Sequence, residues 1–178
     1  MPTREGRPPR PEMRALTVWQ PWAACIACLG KRAENRVWPF PPALAGQLIA
    51  IHAGKMIVQE PVAVPCPEGL AGLFDSHAEQ DRWQAWRLGL ARRPGAGQWP
   101  RRLVLGAVVA AAAVTGCHWW EDCAADPCSP WAARGQYHWQ LTAVVALPAP
   151  VPCSGAQRLW FLPPDVDTAV RAQLAAAT

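Results

Sequence analysis

Apolar and polar positions along the chain predict more strands than helices. Strand-like apolar runs lie at residues 14–19, 47–53, 103–115 and 136–147, and a shorter run lies at 150–153. Residues between 31 and 37 predict a further extended segment, which the prolines that follow it would end.

Helical spacing is confined to three predicted segments. Proline and glycine bound a short helix at 22–29, and a capping-box spacing at 76–79 starts a second helix. Asp165 can cap a terminal helix that reaches about residue 177. Because these helices interrupt the strands and do not alternate with them, the pattern favours an α+β domain around a mostly antiparallel, curved sheet.

The chain has 178 residues, of which 51% are hydrophobic, and this is typical of one globular domain. We predict that residues 1–13 are a disordered Pro/Arg-rich tail and that 14–178 form one domain, with an insertion at about 57–100. The longest apolar run is shorter than the ~20 residues that a membrane helix needs, and no secretory signal opens the sequence. We therefore expect a cytoplasmic protein without membrane attachment.

Charge is distributed unevenly. The net charge is +4, but residues 82–102 contain six arginines and no acidic residue, with three tryptophans between them. Basic and aromatic side chains in this arrangement are typical of proteins that bind nucleic acid. The alternative is a solvated helix face whose tryptophans are buried. The candidate backbone contacts in this segment are Arg92, Arg93, Arg101 and Arg102.

The seven cysteines, an odd number, favour reduced thiols over a disulfide framework. Cys25 and Cys28 lie within a predicted helix, and no second pair follows them at zinc-finger spacing. A looser group of side chains could also hold a metal: Cys117, His118, Cys123 and Cys128. We interpret both groups as small buried thiols, with zinc as the alternative, and predict no metal and no cofactor.

Ionisable side chains beside tryptophans are concentrated at Lys31, Glu34 and Arg36. An extended segment would place 34 and 36 on one face, whereas a turn at Lys31 would bring 31 and 34 together. Such pairs in a half-buried cleft can present a donor and an acceptor to a base, or supply an acid and a base. The alternative is a structural salt bridge.

Other side chains could complete such a site. Lys55 could contact a phosphate, whereas His52 is more typical of a buried histidine than of a catalyst. Two tryptophans that flank a cavity could sandwich a base, and the alternative is that they all belong to the core. The candidates are Trp22, Trp38, Trp139 and Trp160.

Six short motifs follow one another over residues 14–162. They are WQPWA at 19–23, GKRAENR at 30–36, IHAGK at 51–55, VTGC at 114–117, YHWQL at 137–141 and GAQRLW at 155–160. Together they resemble the ASCH domain family. The resemblance implies a PUA-like curved β-barrel, related to EVE/YTH-like modules, with flanking helices and a cleft for a base. Members are generally thought to bind RNA or DNA. A few are enzymes, including an amidohydrolase of N4-acylated cytidines and a reported ribonuclease.

The resemblance also suggests roles for individual residues. Lys31 occupies the place of the lysine that acts as nucleophile or proton acceptor in the amidohydrolase branch, and Arg36 matches a basic position common to both branches. Glu34 stands where that hydrolase has a catalytic threonine, which favours the binding branch. Lys31 and Glu34 would be catalytic only if the protein is an enzyme. The predicted nucleic-acid-binding residues are Gln20, Trp22, Lys31, Glu34, Arg36, Trp38, His52, Lys55, Arg92, Arg93, Arg101 and Arg102.

We therefore predict a module that binds RNA, or single-stranded or modified DNA, and receives a base in a Trp-lined cleft. The alternatives are a hydrolase of N4-acylcytidine-type nucleosides, a ribonuclease, and a protein-interaction module with a tryptophan surface. The sequence indicates no particular protein partner.

Overall fold

The computed structural model describes residues 11–58, 73, 78 and 103–177. Six strands and two helices make up this part of the chain. The strands are β1 Arg14–Gln20, β2 Ala33–Arg36, β3 Leu48–Ile57, β4 Ala107–Trp119, β5 Tyr137–Pro152 and β6 Leu159–Phe161. The helices are α1 Trp22–Cys28 and α2 Pro164–Ala176, and single 3-10 turns lie at Pro42–Leu44 and Trp120–Cys123.

The strands form one sheet in the order β2-β5-β4-β3-β1-β6. Only the β1–β3 pair is parallel, and the other four pairs are antiparallel. Register shifts interrupt the pairing of β4 with both of its neighbours, and such irregularities increase the twist and bend of a sheet. The sheet curls into a half-barrel. This confirms the predicted α+β class with a curved, mostly antiparallel sheet and flanking helices.

Each face of the sheet is covered by one helix, which explains why the first eight residues of β4 are all buried. Ala23 and Ile26 of α1 pack on one face, in a core cluster that includes Trp139 of β5. Val166 and Val170 of α2 pack on the opposite face. The small side chains of β4, four of them consecutive alanines, allow both layers to approach the sheet closely.

Several predicted elements differ in detail from the observed ones. The two runs at 136–147 and 150–153 belong to a single strand, β5, and the short strand β6 was not predicted. Asp165 is not the cap of α2, because the cap position is Pro163 and no side chain caps the helix. Asp165 lies in the first turn, where an acidic group still interacts favourably with the helix dipole.

Some predictions lie outside the described residues. These are the capping box at 76–79, the helix after it, the basic segment with its four candidate arginines, and most of the predicted tail and insertion. In the part of the chain that the structure describes, no helix combines the length and the apolar character that crossing a membrane requires.

Candidate functional site

A cavity of about 380 Å³ opens where the end of β1, the start of α1, β2 and the loop before β5 meet. This volume lies within the range of small-molecule pockets. Its lining is Val18, Trp19, Trp22, Lys31, Glu34, Asn35, Arg36, Val37, Trp38, Val58, Trp131, Ala133 and Gln136. We refer to it as the cleft.

The three predicted ionisable residues meet on one side of the cleft. Gly30, with φ of +70°, turns the chain after α1, so that only Arg32 separates Lys31 from the edge strand β2. The Lys31 ammonium donates to the Ala33 carbonyl oxygen and to Glu34 Oε2, the latter at 2.7 Å. Arg36 Nη2 lies 3.0 Å from Glu34 Oε1. Both oxygens of one carboxylate are therefore paired with cations.

Lys31 and Glu34 are buried and the Arg36 side chain is 21% exposed, so solvent screens the attractions within this array only weakly. Lys31 is 2% exposed and Glu34 is 5% exposed. Burial by itself would raise the pKa of Glu34, but attraction to Lys31 and Arg36 and their hydrogen bonds outweigh it, so the pKa is lowered from 4.5. Glu34 is consequently ionised at neutral pH, and the array carries one net positive charge.

Arg36 has a donor without a hydrogen-bond partner in the part of the chain that the structure describes. Its Nη2 donates to the Thr17 carbonyl oxygen at 2.7 Å and pairs with Glu34. Its Nε–H is buried and has no hydrogen-bond partner among the described residues. A buried donor without a partner costs about 1–3 kcal/mol, so a ligand acceptor at this position would gain strongly.

Aromatic rings form the remaining walls. Trp22 meets Trp131 edge-on with ring centroids 6.4 Å apart. Trp38 is held edge-on against the fully buried Trp139 at 4.5 Å. Trp19 is 53% exposed at the mouth of the cleft. Three of the lining tryptophans are thus held in ring contacts, and Trp19 presents an exposed ring at the mouth.

Asn35 hydrogen-bonds the loop before β5, which forms one wall of the cleft. Its Nδ2 donates to the Trp131 carbonyl oxygen at 2.9 Å, and its Oδ1 accepts from the Ala133 backbone N–H at 3.0 Å. The sequence analysis did not identify Trp131, Ala133 or Asn35 as site residues. The loop is about one hundred residues away from β2 in sequence, and no local pattern signals that the two meet.

Three other predicted binding residues do not line the cleft. Gln20 is fully buried, where its Nε2 donates to Val104 O at 2.7 Å and its Oε1 accepts from Ala24 N. His52 is buried with Nε2 3.1 Å from the Cys153 carbonyl oxygen, and burial lowers its pKa. Lys55 is exposed on β3.

Among the described residues that line the cleft, Glu34 is the one carboxylate, and each of its oxygens is paired with a cation. That lining contains no histidine and no cysteine. Trp139 and Trp160 also lie outside the lining. Trp139 is fully buried in the core, which was the alternative to a role in the site. Trp160 donates a hydrogen bond from Nε1 to Thr17 Oγ1.

Fold and site together define a small α+β domain whose curled sheet carries a charged, tryptophan-walled cleft at one edge. Among solved structures, the crystal structure of an ASCH protein from Zymomonas mobilis is similar, at 12% sequence identity and a TM-score of 0.47. The likeness covers 92% of this chain and 95% of that one.

The other comparisons return nothing: no protein-family model matches the sequence, and no curated protein matches it. At this identity and TM-score, the structural likeness carries no functional conclusion for this chain. The chemistry of the cleft is therefore the basis for assigning a function.

Proposed function

We propose that this protein is a nucleic-acid-binding module that receives one base of RNA, or of single-stranded or modified DNA, in the cleft. One observation supports the proposal above all others. The buried Nε–H of Arg36, which has no partner among the residues described, belongs to the guanidinium that pairs with the ionised carboxylate of Glu34 in a tryptophan-walled cavity. This arrangement offers a donor and an acceptor to the edge of a planar ring.

The polar groups suit a nucleobase. Arg36 would donate from Nε, and the free lone pairs of Glu34 would accept an amino or imino hydrogen. Every nucleobase has a donor next to an acceptor on its pairing edge, so the pair would orient a base without choosing strictly among the four. Because Lys31 and the Thr17 carbonyl hold both side chains in place, little ordering entropy is lost on binding.

The tryptophans would supply most of the affinity. Stacking of a base on an aromatic ring is worth about 1–3 kcal/mol. Trp19 is the best placed of the four for this role, because it is half exposed at the mouth of the cleft. The positive charge of the array, together with the arginines at 92, 93, 101 and 102, would attract the phosphate backbone.

The geometry favours binding over catalysis. A lysine nucleophile must be neutral, but Lys31 is buried against an ionised carboxylate and donates to two oxygens. Glu34, with its lowered pKa, is a weak proton acceptor at neutral pH. Hydrolysis of an acylated cytidine or of RNA is therefore the alternative that the experiment must separate from binding.

The test compares two arginine-to-lysine variants in the same binding assay. Arg36→Lys keeps a positive charge beside Glu34 but removes Nε–H, together with the Nη2 donor that bonds the Thr17 carbonyl oxygen. Arg171→Lys is the matched control, because Arg171 is also paired with a carboxylate but lies on α2, outside the cleft. Labelled single- and double-stranded RNA and DNA are titrated at two salt concentrations, after circular dichroism has shown that both variants fold.

We expect Arg36→Lys to bind the preferred strand about 10- to 100-fold more weakly, since a hydrogen bond from a charged donor is worth about 1.5–3 kcal/mol. Arg171→Lys should bind like the wild type. Equal affinities for all three proteins, or affinity that does not change with salt, would contradict the proposal. Strands shortened on a denaturing gel by the wild type but not by Lys31→Ala would establish the nuclease instead.

A further inference from the structure

A second group of side chains lies outside the cleft and is unused by the proposed function. His118 is the residue before the end of β4, and Cys123 is the last residue of the 3-10 turn that follows. Cys128 lies in the next loop, and His138 is the residue after the start of β5. One ligand-type atom from each residue falls within 4.8 Å of the other three. Four such atoms from two cysteines and two histidines are the donor set of a structural zinc site.

Strand geometry explains why these four residues meet. His118 and His138 are directly opposite each other in the antiparallel β4–β5 pair, so their side chains share one face of the sheet. Cys117 is the neighbour of His118 and points to the other face, where its Sγ accepts from the Phe40 N–H. The group that the sequence suggested therefore loses Cys117 and gains His138.

Three S···N distances within the group are close to those of a tetrahedral zinc site. Cys123 Sγ lies 3.3 Å from His118 Nε2 and 3.3 Å from His138 Nδ1. Cys128 Sγ lies 3.5 Å from the same Nδ1. Metal–sulfur bonds of ~2.3 Å and metal–nitrogen bonds of ~2.0 Å at tetrahedral angles give S···N separations of about 3.5 Å.

A backbone hydrogen bond orients the His138 ring as a metal ligand would need. The second ring nitrogen, Nε2, lies 2.8 Å from the Ala133 carbonyl oxygen, which can only accept a hydrogen bond. Nε2 therefore carries the proton, and Nδ1 presents its lone pair to the two thiols. A backbone carbonyl that orients a histidine in this way is the usual support of a metal-bound imidazole.

We propose that His118, Cys123, Cys128 and His138 bind one zinc ion. Two thiolates neutralise the charge of the ion, and four protein ligands leave no open position, so the site is structural. The expectation from the sequence that both cysteine groups are small buried thiols is wrong for Cys28 and Cys128, which are exposed. The proposed zinc site takes the place of the expectation that no metal binds.

The site would also stabilise one wall of the cleft. His138 contacts Ala133, and Asn35 bonds both Ala133 and Trp131. Zinc would thus fix the loop that carries two lining residues of the cleft. The inference does not depend on what the cleft binds.

The test is the metal content of the full-length protein, purified without chelator from zinc-supplemented medium. We expect about one zinc per chain by mass spectrometry of the metal, and a roughly ten-fold lower content in Cys128→Ser. Cys28→Ser is the matched control, because Cys28 is exposed like Cys128 but lies on α1. The Cys28→Ser variant should retain zinc. Wild-type protein reloaded with Co²⁺ should show the absorption of a tetrahedral thiolate site, which keeps the test decisive if Cys128→Ser unfolds.

Three results would overturn the inference. The first is wild-type protein with less than about one tenth of an equivalent of zinc and no tetrahedral Co²⁺ spectrum. The second is a Cys123–Cys128 disulfide in peptide mass maps, since thiols joined in this way cannot be zinc ligands. The third is equal loss of zinc in the Cys28→Ser control.

Discussion

Neutralising Glu34 tests whether the buried array is the electrostatic centre of the cleft. Glu34→Gln keeps the shape of the side chain but removes the charge that compensates Lys31 and Arg36. At an effective dielectric constant near 20, each attraction is worth about 4 kcal/mol at 4 Å. Two such attractions, less a desolvation penalty of several kcal/mol, leave an expected loss of about 3–5 kcal/mol in the free energy of unfolding.

Urea denaturation of Glu34→Gln and of a matched control measures this loss. Glu121→Gln makes the same chemical change at an exposed position and should alter the free energy of unfolding by less than about 0.5 kcal/mol. Adding Lys31→Met to Glu34→Gln removes the uncompensated ammonium, so the double variant should recover part of the stability. A loss below about 1 kcal/mol in Glu34→Gln would refute a strong buried array.

The pH dependence has a definite sign. The pKa of Glu34 is lower in the folded protein than its ordinary value of 4.5. Its stabilisation is therefore complete above about pH 4.5 and is lost as the pH falls through the lower folded-state pKa. The stability difference between wild type and Glu34→Gln should shrink in acid, and a constant difference from neutral pH to pH ~3 would contradict the assignment.

Three further predictions concern the support of the sheet. Gly155→Ala should lower the free energy of unfolding by about 1–3 kcal/mol, because the added Cβ would lie 2.4 Å from His52 Cε1. Gly116→Ala should cost less in the same thermal-unfolding assay, because its Cβ would meet only the flexible end of Gln140. Gln20→Leu should cost about 2–4 kcal/mol in urea denaturation, since it removes the partner of the buried Ala24 N–H and of the partly buried Val104 carbonyl oxygen. Burial lowers the pKa of His52 below 6.5, so the stability that neutral His52 contributes should be present above pH 6.5 and fall in acid. If the urea midpoints of His52→Gln and of the wild type change with pH in the same way, this prediction is contradicted.

The sequence predicts well what is local. Pro21 and Gly30 bound α1 nearly as expected, and Lys31, Glu34 and Arg36 lie within six residues, so a single turn is enough to bring them together. Apolar runs identify most strands because strand burial leaves a direct pattern of side chains.

The sequence could not predict which distant segments meet at the cleft and at the zinc site, because strand pairing determines those contacts. The loop with Trp131 reaches the cleft only because β2 pairs with β5 and Asn35 bonds across to the loop. His138 joins the two cysteines because of the β4–β5 register, which also turns Cys117 away. Gln20 and His52 were grouped with the cleft through motif resemblance, and their burial shows that a motif can also reflect support of the fold.

The most direct test of the cleft is the effect of Trp19 on the affinity for a single-stranded oligonucleotide. Trp19→Ala removes a half-exposed ring from the mouth of the cleft, and Phe161→Ala removes a similarly exposed ring from outside it. We predict dissociation constants about 5- to 100-fold higher for Trp19→Ala at both low and high salt, and unchanged for Phe161→Ala, because stacking is worth about 1–3 kcal/mol per base. Equal affinities of the two variants would contradict a base-receiving cleft.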